Sequence, residues 1–599
     1  MTNISSRTWL DLLPTQILLL IFEYLSTNDI LHTFFNFNQR FNKLLLENHC
    51  YSTYFQLPTN NLNLWIKIIP LISCRIECLY INTIYFSFPL ELFSNLKSII
   101  ISSRHGFAEE ELKCLIENKQ FERLESVRIV SNDRSFICYD NNNHIEILNK
   151  VFTNRSLLKQ FEYSFVLPPL KFINIDHYEI NSKLKSLRLI LINYEDIFVL
   201  IEYTPNLINL NIQSKPLSRS IRLNKKIDLK LKRFELKLST NHSAEGLIDF
   251  DQLMNNIKPL SSSLIYLSLN LADLDIFNRN EIPFDFIKLK QWLQSMIHLK
   301  QFHFYAKLIG FINLNKIQLE NWYWLEHNWS FGMHGTYLYT LPFHFHYLHQ
   351  YPTRFQITKT SYQDILINSN LQLWENVKSI QLPIREEYNT NFVRDIHMKF
   401  PNLTSIKFLG ASHVLKDQQT NICNQQIEYK LDKLTTIDFS GLIEREQDWL
   451  RNSLSNLKDF IISSQQLSSL EFSLKSSQFR LPFQMENDLD SILKQLDHIY
   501  LFNIKHITIC LNDSWTLSND SSNLIIKLFK QFKYLQTFLI YISKYSKYDE
   551  IDLTQEKLHK FVDRLSKSKL KKYYEIKCFR RFCFIFNFMG TTNSLISSH

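Results

Sequence analysis

The chain has 599 residues, of which 45% are hydrophobic, and its 67 basic and 58 acidic residues give a net charge of +9. This length predicts several domains or a repeat array. So small a net charge does not indicate nucleic-acid binding unless the basic residues cluster. No apolar run reaches the roughly 18–20 residues that are needed to span a bilayer. We therefore expect neither a nucleic-acid nor a membrane partner. Nine scattered cysteines and no secretory signal favour a reducing compartment, the cytoplasm, the nucleus or both.

The first predicted element is a helical unit over residues 12–46. Pro14 suits the first turn of a helix, where its missing N–H would be unpaired anyway. Apolar residues then recur at helical spacing on more than one side of this helix, so it must pack on neighbours or on a partner. Asparagine, serine, threonine and aspartate at 26–29 offer N-cap oxygens for a second helix, and a third closes the unit. The apolar positions are Ile17, Leu18, Leu20, Ile21, Phe22, Tyr24, Leu25, Ile30, Leu31, Phe34, Phe35, Phe37, Phe41, Leu44 and Leu45.

This unit resembles an F-box. The matching residues are Leu13-Pro14, Ile21-Phe22-x-Tyr24-Leu25, Asp29-Ile30-Leu31 and Asn38-Gln39-Arg40-Phe41-x-x-Leu44. Gln16 replaces a common acidic residue, and Phe41 stands where many members have tryptophan.

The resemblance implies docking to a Skp-type adaptor on a cullin scaffold, within an SCF ubiquitin ligase. The expected adaptor-binding residues are Leu13, Pro14, Ile17, Ile21, Phe22, Leu25 and Leu31. One alternative is an ordinary three-helix core without a partner. Another is a signal peptide, which Pro14, Glu23 and the lack of a small-residue cleavage site disfavour.

A connector with Trp65 and two prolines follows, and from Arg75 onward a hexad, apolar-x-x-apolar-x-apolar, recurs. Copies start 20 to 37 residues apart, except for one interval of 78 between 299 and 377, and this regular spacing indicates a repeat. An asparagine or a lysine often precedes a copy. The fifteen copies are Ile76-Leu79-Ile81, Leu96-Ile99-Ile101, Leu124-Val127-Ile129, Leu158-Phe161-Tyr163, Leu184-Leu187-Leu189, Leu207-Leu210-Ile212, Leu231-Phe234-Leu236, Leu264-Leu267-Leu269, Leu299-Phe302-Phe304, Val377-Ile380-Leu382, Leu403-Ile406-Phe408, Leu434-Ile437-Phe439, Leu467-Leu470-Phe472, Ile504-Ile507-Ile509 and Leu535-Phe538-Ile540.

The hexad resembles the leucine-rich repeat, in the irregular form common beside F-boxes, although the usual downstream asparagine or cysteine is mostly missing. The resemblance implies an α/β fold, in which a short N-terminal helical F-box-like module precedes an irregular solenoid with a parallel sheet. The helical patterns at 109–116 and 292–296 would lie between strands. An unrelated α/β domain with parallel strands is the alternative.

Strand alternation should bury the apolar positions, among them Leu187, Leu210, Leu267 and Ile437, and send the third and fifth hexad positions to the concave face. That face is balanced in charge and rich in hydroxyls, which suits a mixed protein epitope better than a polyanion. Alternatively, the face meets only solvent. The expected substrate-binding residues are Arg128, Glu162, Arg188, Asn211, Arg233, Glu235, His303, Lys407, Asp438 and Glu471.

The 78-residue interval contains Trp322, Trp324 and Trp329, and it predicts either an elaborated repeat with a strand hairpin or a break between two half-solenoids. His344-x-His346 could chelate a metal on a strand, but no carboxylate or cysteine lies beside it. The cysteine pairs 74/78 and 578/583 likewise lack ligand partners. We therefore expect no metal site.

Toward the C-terminus, residues 553–570 fit an amphipathic helix, and 582–586 fit a final buried strand. The lysines at 567–572 suit a helix end better than a patch for an acidic partner. Phosphate loops, nucleophile elbows and metalloprotease motifs are absent, so we expect neither a cofactor nor enzymatic activity.

The sequence thus predicts a substrate-recognition adaptor of an SCF ligase that binds an unknown protein substrate. The alternative is a repeat scaffold outside the ubiquitin system, in which the N-terminal helices only cap the solenoid. The predicted segments are a helical module (7–50), a connector (51–74), a first solenoid part (75–306), a Trp-rich repeat or insertion (307–376), a second solenoid part (377–545) and a C-terminal helix with a closing segment (546–599).

Overall fold

The fold was analysed in a computed structural model of the chain. Two compact units make up the chain, residues 1–327 with 336–338, and residues 328–335 with 339–599. The structure describes residues 9–25, 27–35, 37–47, 55–57, 68–81, 90–103, 117–131, 142–164, 170, 178–192, 196–214, 229–239, 247–277, 286–308, 330–334, 336–349, 359–360, 373–383, 390–409, 431, 433–441, 469–474, 506–512, 537–543, 574–579 and 583–588.

Four short helices open the first unit, α1 (Trp9–Leu12), α2 (Thr15–Glu23), α3 (Thr27–Phe34) and α4 (Gln39–Glu47). Pro14 lies at the N-terminus of α2, where its carbonyl accepts the first helical hydrogen bonds, from Ile17 and Leu18. A row of phenylalanines joins the helices: the Phe22 ring lies 5.1 Å from Phe34, which stacks on Phe41 at 5.3 Å. These rings, with buried leucines beside them, form the core of the unit.

The first unit is built on a sheet in which one strand follows the next in chain order. The order is β1-β2-β3-β4-β5-β6-β7-β8-β10-β11, β9 lies beside β10, and every one of these pairs is parallel. The strands are β1 (Phe55–Leu57), β2 (Cys78–Ile81), β3 (Ser98–Ser103), β4 (Ser126–Ser131), β5 (Gln160–Ser164), β6 (Ser186–Ile190), β7 (Asn209–Ser214), β8 (Arg233–Leu238), β9 (Leu247–Asp249), β10 (Tyr266–Phe277) and β11 (Gln301–Leu308).

A second sheet lies in the second unit. Its order is β14-β16-β17-β18-β19-β20-β21-β23-β22, parallel up to β21 and then antiparallel. The strands are β14 (Tyr347–Leu348), β16 (Ser379–Pro383), β17 (Ser405–Leu409), β18 (Thr436–Gly441), β19 (Ser469–Leu474), β20 (His506–Asn512), β21 (Thr537–Ser543), β22 (Tyr574–Phe579) and β23 (Cys583–Phe588). Three further strands, β12 (Ser330–His334), β13 (Tyr337–Leu341) and β15 (Lys359–Thr360), are neighbours in the order β13-β12-β15.

All fifteen hexads coincide with strands, and the fourth hexad residues of paired strands lie opposite one another. In the first unit Leu187 lies opposite Leu210, and in the second Ile406 lies opposite Ile437. Leu187, Leu210, Leu267 and Ile437 are all at most 1% exposed, which confirms their predicted burial. Parallel sheets with one strand per hexad are compatible with the solenoid-like repeat that the sequence predicts.

Where the structure describes the connections between strands, they contain helices and turns. The helices are α5 (Asn142–Val151), α6 (Asp196–Tyr203), α7 (Phe250–Ile257), α8 (Phe286–Gln294) and α9 (Thr390–Lys399), and 3-10 turns cover Ser73–Arg75, Leu90–Leu92, Lys119–Arg123 and Lys258–Ser263. Phe250 of α7 meets Phe304, a hexad residue of β11, edge to face at 5.9 Å. The apolar side of the sheet therefore packs against a helix here.

The asparagines that precede hexads link one copy to the one before it. Asn206 donates to the carbonyl of Ser182 (2.8 Å), and Asn402 donates to that of Glu375 (3.0 Å). Each acceptor lies two residues before the preceding hexad. Where a lysine takes this position, as in Lys230, its ammonium donates to the asparagine of the previous copy (2.8 Å). These bonds explain why asparagine and lysine recur before the hexads.

The structure departs from the sequence predictions at two places. The connector contributes the strand β1, which pairs with β2 and extends the sheet, as well as helical residues at 68–72. His344 and His346 lie between β13 and β14, not on a strand. The predicted helices at 109–116 and 553–570 and the Trp cluster lie outside the described residues.

Candidate protein-binding surfaces

The helix α2 is apolar on two sides, and only one of them enters the core. Leu18 and Phe22 are buried, and the Phe22 ring packs on Phe34 of α3. The other side and the turn after it expose Ile17 (41%), Leu20 (51%), Tyr24 (88%) and Leu25 (39%), while Ile21 is half-buried. We name Ile17, Leu20, Ile21, Tyr24 and Leu25 the α2 face. Clustered large apolar side chains at a soluble surface mark interaction sites.

The ends of the helices hold this face in place. Arg40 of α4 donates through its guanidinium to the carbonyl of Leu13 and to the Thr15 hydroxyl (3.4 Å), which fixes the chain where α2 begins. Asn38 accepts the Phe41 amide (2.9 Å) and so caps α4. Residues of the Asn-Gln-Arg-Phe segment thus position α2 without lying on its exposed side.

The predicted adaptor-binding residues fall into two groups. Leu13, Pro14, Ile17, Ile21 and Leu25 are at least partly accessible, whereas Phe22 and Leu31 are buried. The two buried residues support the face from beneath in this conformation. Leu20 and Tyr24 were missing from the predicted set, although their helical spacing with Ile17 and Ile21 signals one shared face.

A second surface lies on the polar side of the first sheet. Here the third and fifth hexad positions align across the strands in two continuous rows, as the register shows. The first row is Cys78, Ser98, Ser126, Gln160, Ser186, Asn209, Arg233, Tyr266 and Gln301. The second is Tyr80, Ile100, Arg128, Glu162, Arg188, Asn211, Glu235, Ser268 and His303. Seven of the predicted substrate-binding residues therefore lie on neighbouring strands, β4 to β11.

Glu162 is the centre of the first charged cluster on this surface. Its Oε2 accepts from Nε of Arg128 at 2.6 Å, and its Oε1 lies 3.2 Å from Nη1 of Arg188. The glutamate is 4% exposed, whereas the Arg188 side chain is 55% exposed. The buried carboxylate therefore orients two arginines, and Arg188 is the group a partner could reach.

The second cluster is built around an aromatic ring. The Arg233 guanidinium carbon lies 3.9 Å above the centre of the Tyr266 ring, and its Nη2 lies 2.6 Å from Glu235, which also accepts from Asn211. Burial of the Tyr266 phenol raises its pKa to about 12, and the negative charge of nearby Glu235 contributes to this increase. The His303 ring lies 5.2 Å from that of Tyr266. Tyr266 was not among the predicted residues, yet it contacts two that were, Arg233 and His303.

In the second unit, Lys407 and Asp438 form an ion pair of 3.2 Å. They are opposite one another in the register of β17 and β18, and both side chains are largely buried. Glu471 lies opposite Asp438 on β19. These three predicted residues therefore share one row, separate from the row of the first unit.

The described residues contain no group of three or more histidine, cysteine, aspartate or glutamate side chains able to hold a metal ion. His346 instead bonds the carbonyl of Asn376 through Nδ1 (2.9 Å), and Cys74 and Cys78 are free thiols. In β22 and β23, Cys578 lies opposite Phe584 and not opposite Cys583. Among the described helices, none is long and apolar enough to cross a membrane.

Comparison with known proteins finds similar chains among solved structures. No protein-family model matches the chain, and no curated protein matches it in sequence. Among solved structures, the crystal structure of the Rad7 and Elc1 complex in yeast is similar over 67% of this chain and 86% of that chain, at 14% identity and a TM-score of 0.31. So low a score indicates neither a shared fold nor a shared function.

Proposed function

We propose that this protein is a substrate-recognition adaptor of a cullin-based SCF ubiquitin ligase, acting in the cytoplasm, the nucleus or both. In this proposal the helical module (7–50) docks to a Skp-type adaptor, and a leucine-rich-repeat-like solenoid (75–306 and 377–545) holds a protein substrate. The observation that carries the proposal is the α2 face, where Ile17, Leu20 and Tyr24 are exposed on a module that already has its own core. The resemblance of the same residues to an F-box supports the choice of partner.

The substrate surface in this proposal is the polar side of the sheet, with Arg188 and Arg233 as its most exposed charged groups. Their ion pairs with glutamates fix the arginine heads in place, so a bound partner would lose less side-chain entropy on contact. Such an adaptor supplies no catalytic group. It raises the effective concentration of substrate lysines near the ubiquitin donor held by other subunits.

The test is a pull-down of a purified Skp-type adaptor by the full-length chain. Leu20→Asp should abolish capture, because a buried carboxylate without a partner is costly. Leu71→Asp is the matched control, since Leu71 is 49% exposed, much like Leu20, but lies outside the helical module. The proposal is wrong if wild-type protein captures no adaptor, or if Leu20→Asp captures it at wild-type strength.

A second candidate function, a repeat scaffold capped by its N-terminal helices, is favoured by the packing of α3 against β1, the edge strand of the first sheet. An exposed edge strand invites unwanted pairing, so a cover is expected there. Under this alternative, deleting residues 1–50 would cause aggregation of the remaining chain, and Leu20→Asp would change no partner interaction. The pull-down therefore separates the two functions.

A further inference from the structure

A row of residues at the points where the strands begin has an uneven distribution of charge. The row consists of the second hexad residue of each copy in the first unit, and backbone hydrogen bonds of 2.7–2.9 Å join each member to the next. We name it the strand-entry row. Its members are Glu77, Lys97, Glu125, Lys159, Lys185, Ile208, Lys232, Ile265 and Lys300.

The first four members neutralise one another. Lys97 pairs with Glu77 at 3.0 Å, and Lys159 pairs with Glu125 at 2.8 Å. The hydrogen bond from Lys159 is the main reason why the pKa of Glu125 lies below its ordinary value. This half of the row has no net charge to offer a partner.

The other five members carry three lysines and no acid. Lys185, Lys232 and Lys300 are exposed, and within the described part of the chain their ammonium groups make neither a hydrogen bond nor an ion pair. Lys183 and Lys230, two residues before Lys185 and Lys232, add two exposed cations. The nearest described acids along the chain bond other groups: Glu235 pairs with Arg233 and accepts from Asn211, and Glu179 accepts from Thr153 and from the Asn154 amide.

Apolar side chains alternate with these lysines. Ile208 lies between Lys185 and Lys232, Ile265 lies between Lys232 and Lys300, and both isoleucines are partly exposed. Ile297, just before β11, is 80% exposed, and Ile180, before β6, is 55% exposed. The surface is therefore basic and apolar together, which suits a protein partner better than a polyanion, because a polyanion needs cations alone.

The spacing selects the form of the partner. Adjacent strands lie about 4.8 Å apart, so successive lysines of the row are about 9.6 Å apart with an isoleucine midway. In an α-helix, residues at i and i+7 lie about 10.5 Å apart on nearly the same face, with i+3 or i+4 between them. An extended strand repeats its face every 6.6 Å or so, which matches neither distance.

From this match we infer that Lys185–Ile208–Lys232–Ile265–Lys300 is a docking site for an acidic amphipathic helix of a partner protein. The helix presents carboxylates seven residues apart to the lysines and an apolar residue between them to each isoleucine. This site shares no residue with the α2 face or with the arginine clusters, so it is independent of the function proposed above.

The probe is a synthetic helical peptide with three glutamates seven residues apart and a leucine midway between each pair, titrated into the full-length chain at 0.15 M salt. We expect saturable binding that weakens at least tenfold in Lys185→Glu/Lys232→Glu. The same peptide with lysines in place of the glutamates should bind this double variant better than it binds wild type. Circular dichroism checks the folding of each variant, and Lys232→Gln serves as a milder change.

Lys119→Glu is the matched control for Lys232→Glu, because Lys119 is exposed, bonds no side chain among the described residues and lies outside the row. It should change the affinity less than twofold. Absence of binding, equal affinity for a scrambled peptide of the same composition, or equal weakening by Lys119→Glu and Lys232→Glu would each overturn the proposed site.

Discussion

Leu20 and Phe22 lie two residues apart on α2, yet Leu20 is half-exposed whereas Phe22 is buried with its ring 5.1 Å from that of Phe34. The short helix thus has two apolar sides with different tasks. Phe22, with Leu18, holds the helical module together. Leu20, with Ile17 and Tyr24, leaves an apolar surface that the module itself does not cover.

This division predicts unequal effects of truncation at the two positions. Phe22→Ala should destabilise the helical module by about 3–5 kcal/mol, because it removes a buried ring from the stack with Phe34 and Phe41. Leu20→Ala should change stability by no more than about 0.5 kcal/mol, as expected of an exposed site. Hydrogen exchange of the α3 and α4 amides would measure both effects, and equal protection in the two variants would contradict the assignment.

The buried carboxylate of Glu162 gives a second prediction. Glu162→Gln removes the charge that holds Arg128 and Arg188, and hydrogen bonds to charged groups contribute about 1.5–3 kcal/mol. Since both arginines remain partly solvated, we discount this range for solvent screening and expect a loss of about 1–2 kcal/mol. Urea denaturation measures it. Glu77→Gln, in the exposed pair with Lys97, is the control and should cost less than about 1 kcal/mol.

The hexad strands were predictable from sequence because strand alternation is a local rule. In Leu184-Leu187-Leu189 and Leu207-Leu210-Ile212, the apolar positions indicate which side of the strand is buried. The observed register places these positions opposite one another, as in Leu187 with Leu210. The strand β1 escaped prediction because three residues, Phe55–Leu57, are too few for a period to show. His344 and His346 lie beyond β13, which ends at Leu341 just before Pro342, a residue that cannot donate to a ladder.

The two apolar sides of α2 could be identified from the sequence, but the sequence did not show which side is buried and which is exposed. Ile17, Leu20 and Tyr24 recur at helical spacing, as do Leu18 and Phe22, and all five are apolar or aromatic. Which set enters the core depends on where α3 and α4 pack, and that is decided by contacts distant in sequence. For the same reason, the contact of the Arg233 guanidinium with the Tyr266 ring could not be predicted from either hexad alone, because the two residues lie on different strands.

A third prediction concerns pH. The Lys159 ammonium donates to Glu125, and with the charges of Lys159 and Lys97 it holds the pKa of the Glu125 carboxyl below its ordinary value. Because the folded pKa lies below the unfolded one, this pair stabilises the fold above the unfolded pKa and loses its effect as pH falls through the folded pKa. NMR titration of the carboxyl carbon should show the low pKa in wild type and a return toward the ordinary value in Lys159→Gln. An unchanged titration in that variant would contradict the assignment.

The last prediction concerns the asparagines that join successive copies. Asn206 donates to the Ser182 carbonyl and accepts from Lys230, whereas Asn209, three residues later, makes no side-chain hydrogen bond with a described residue. Asn206→Ala should therefore lower the free energy of unfolding by about 1 kcal/mol, the usual worth of a hydrogen bond. Asn209→Ala, at an exposed site where β7 begins, should stay within about 0.5 kcal/mol of wild type. Urea denaturation of both variants measures the difference, and hydrogen exchange would place it at the start of β7. Equal stabilities would mean that these asparagines recur before the hexads for a reason other than the bonds they make.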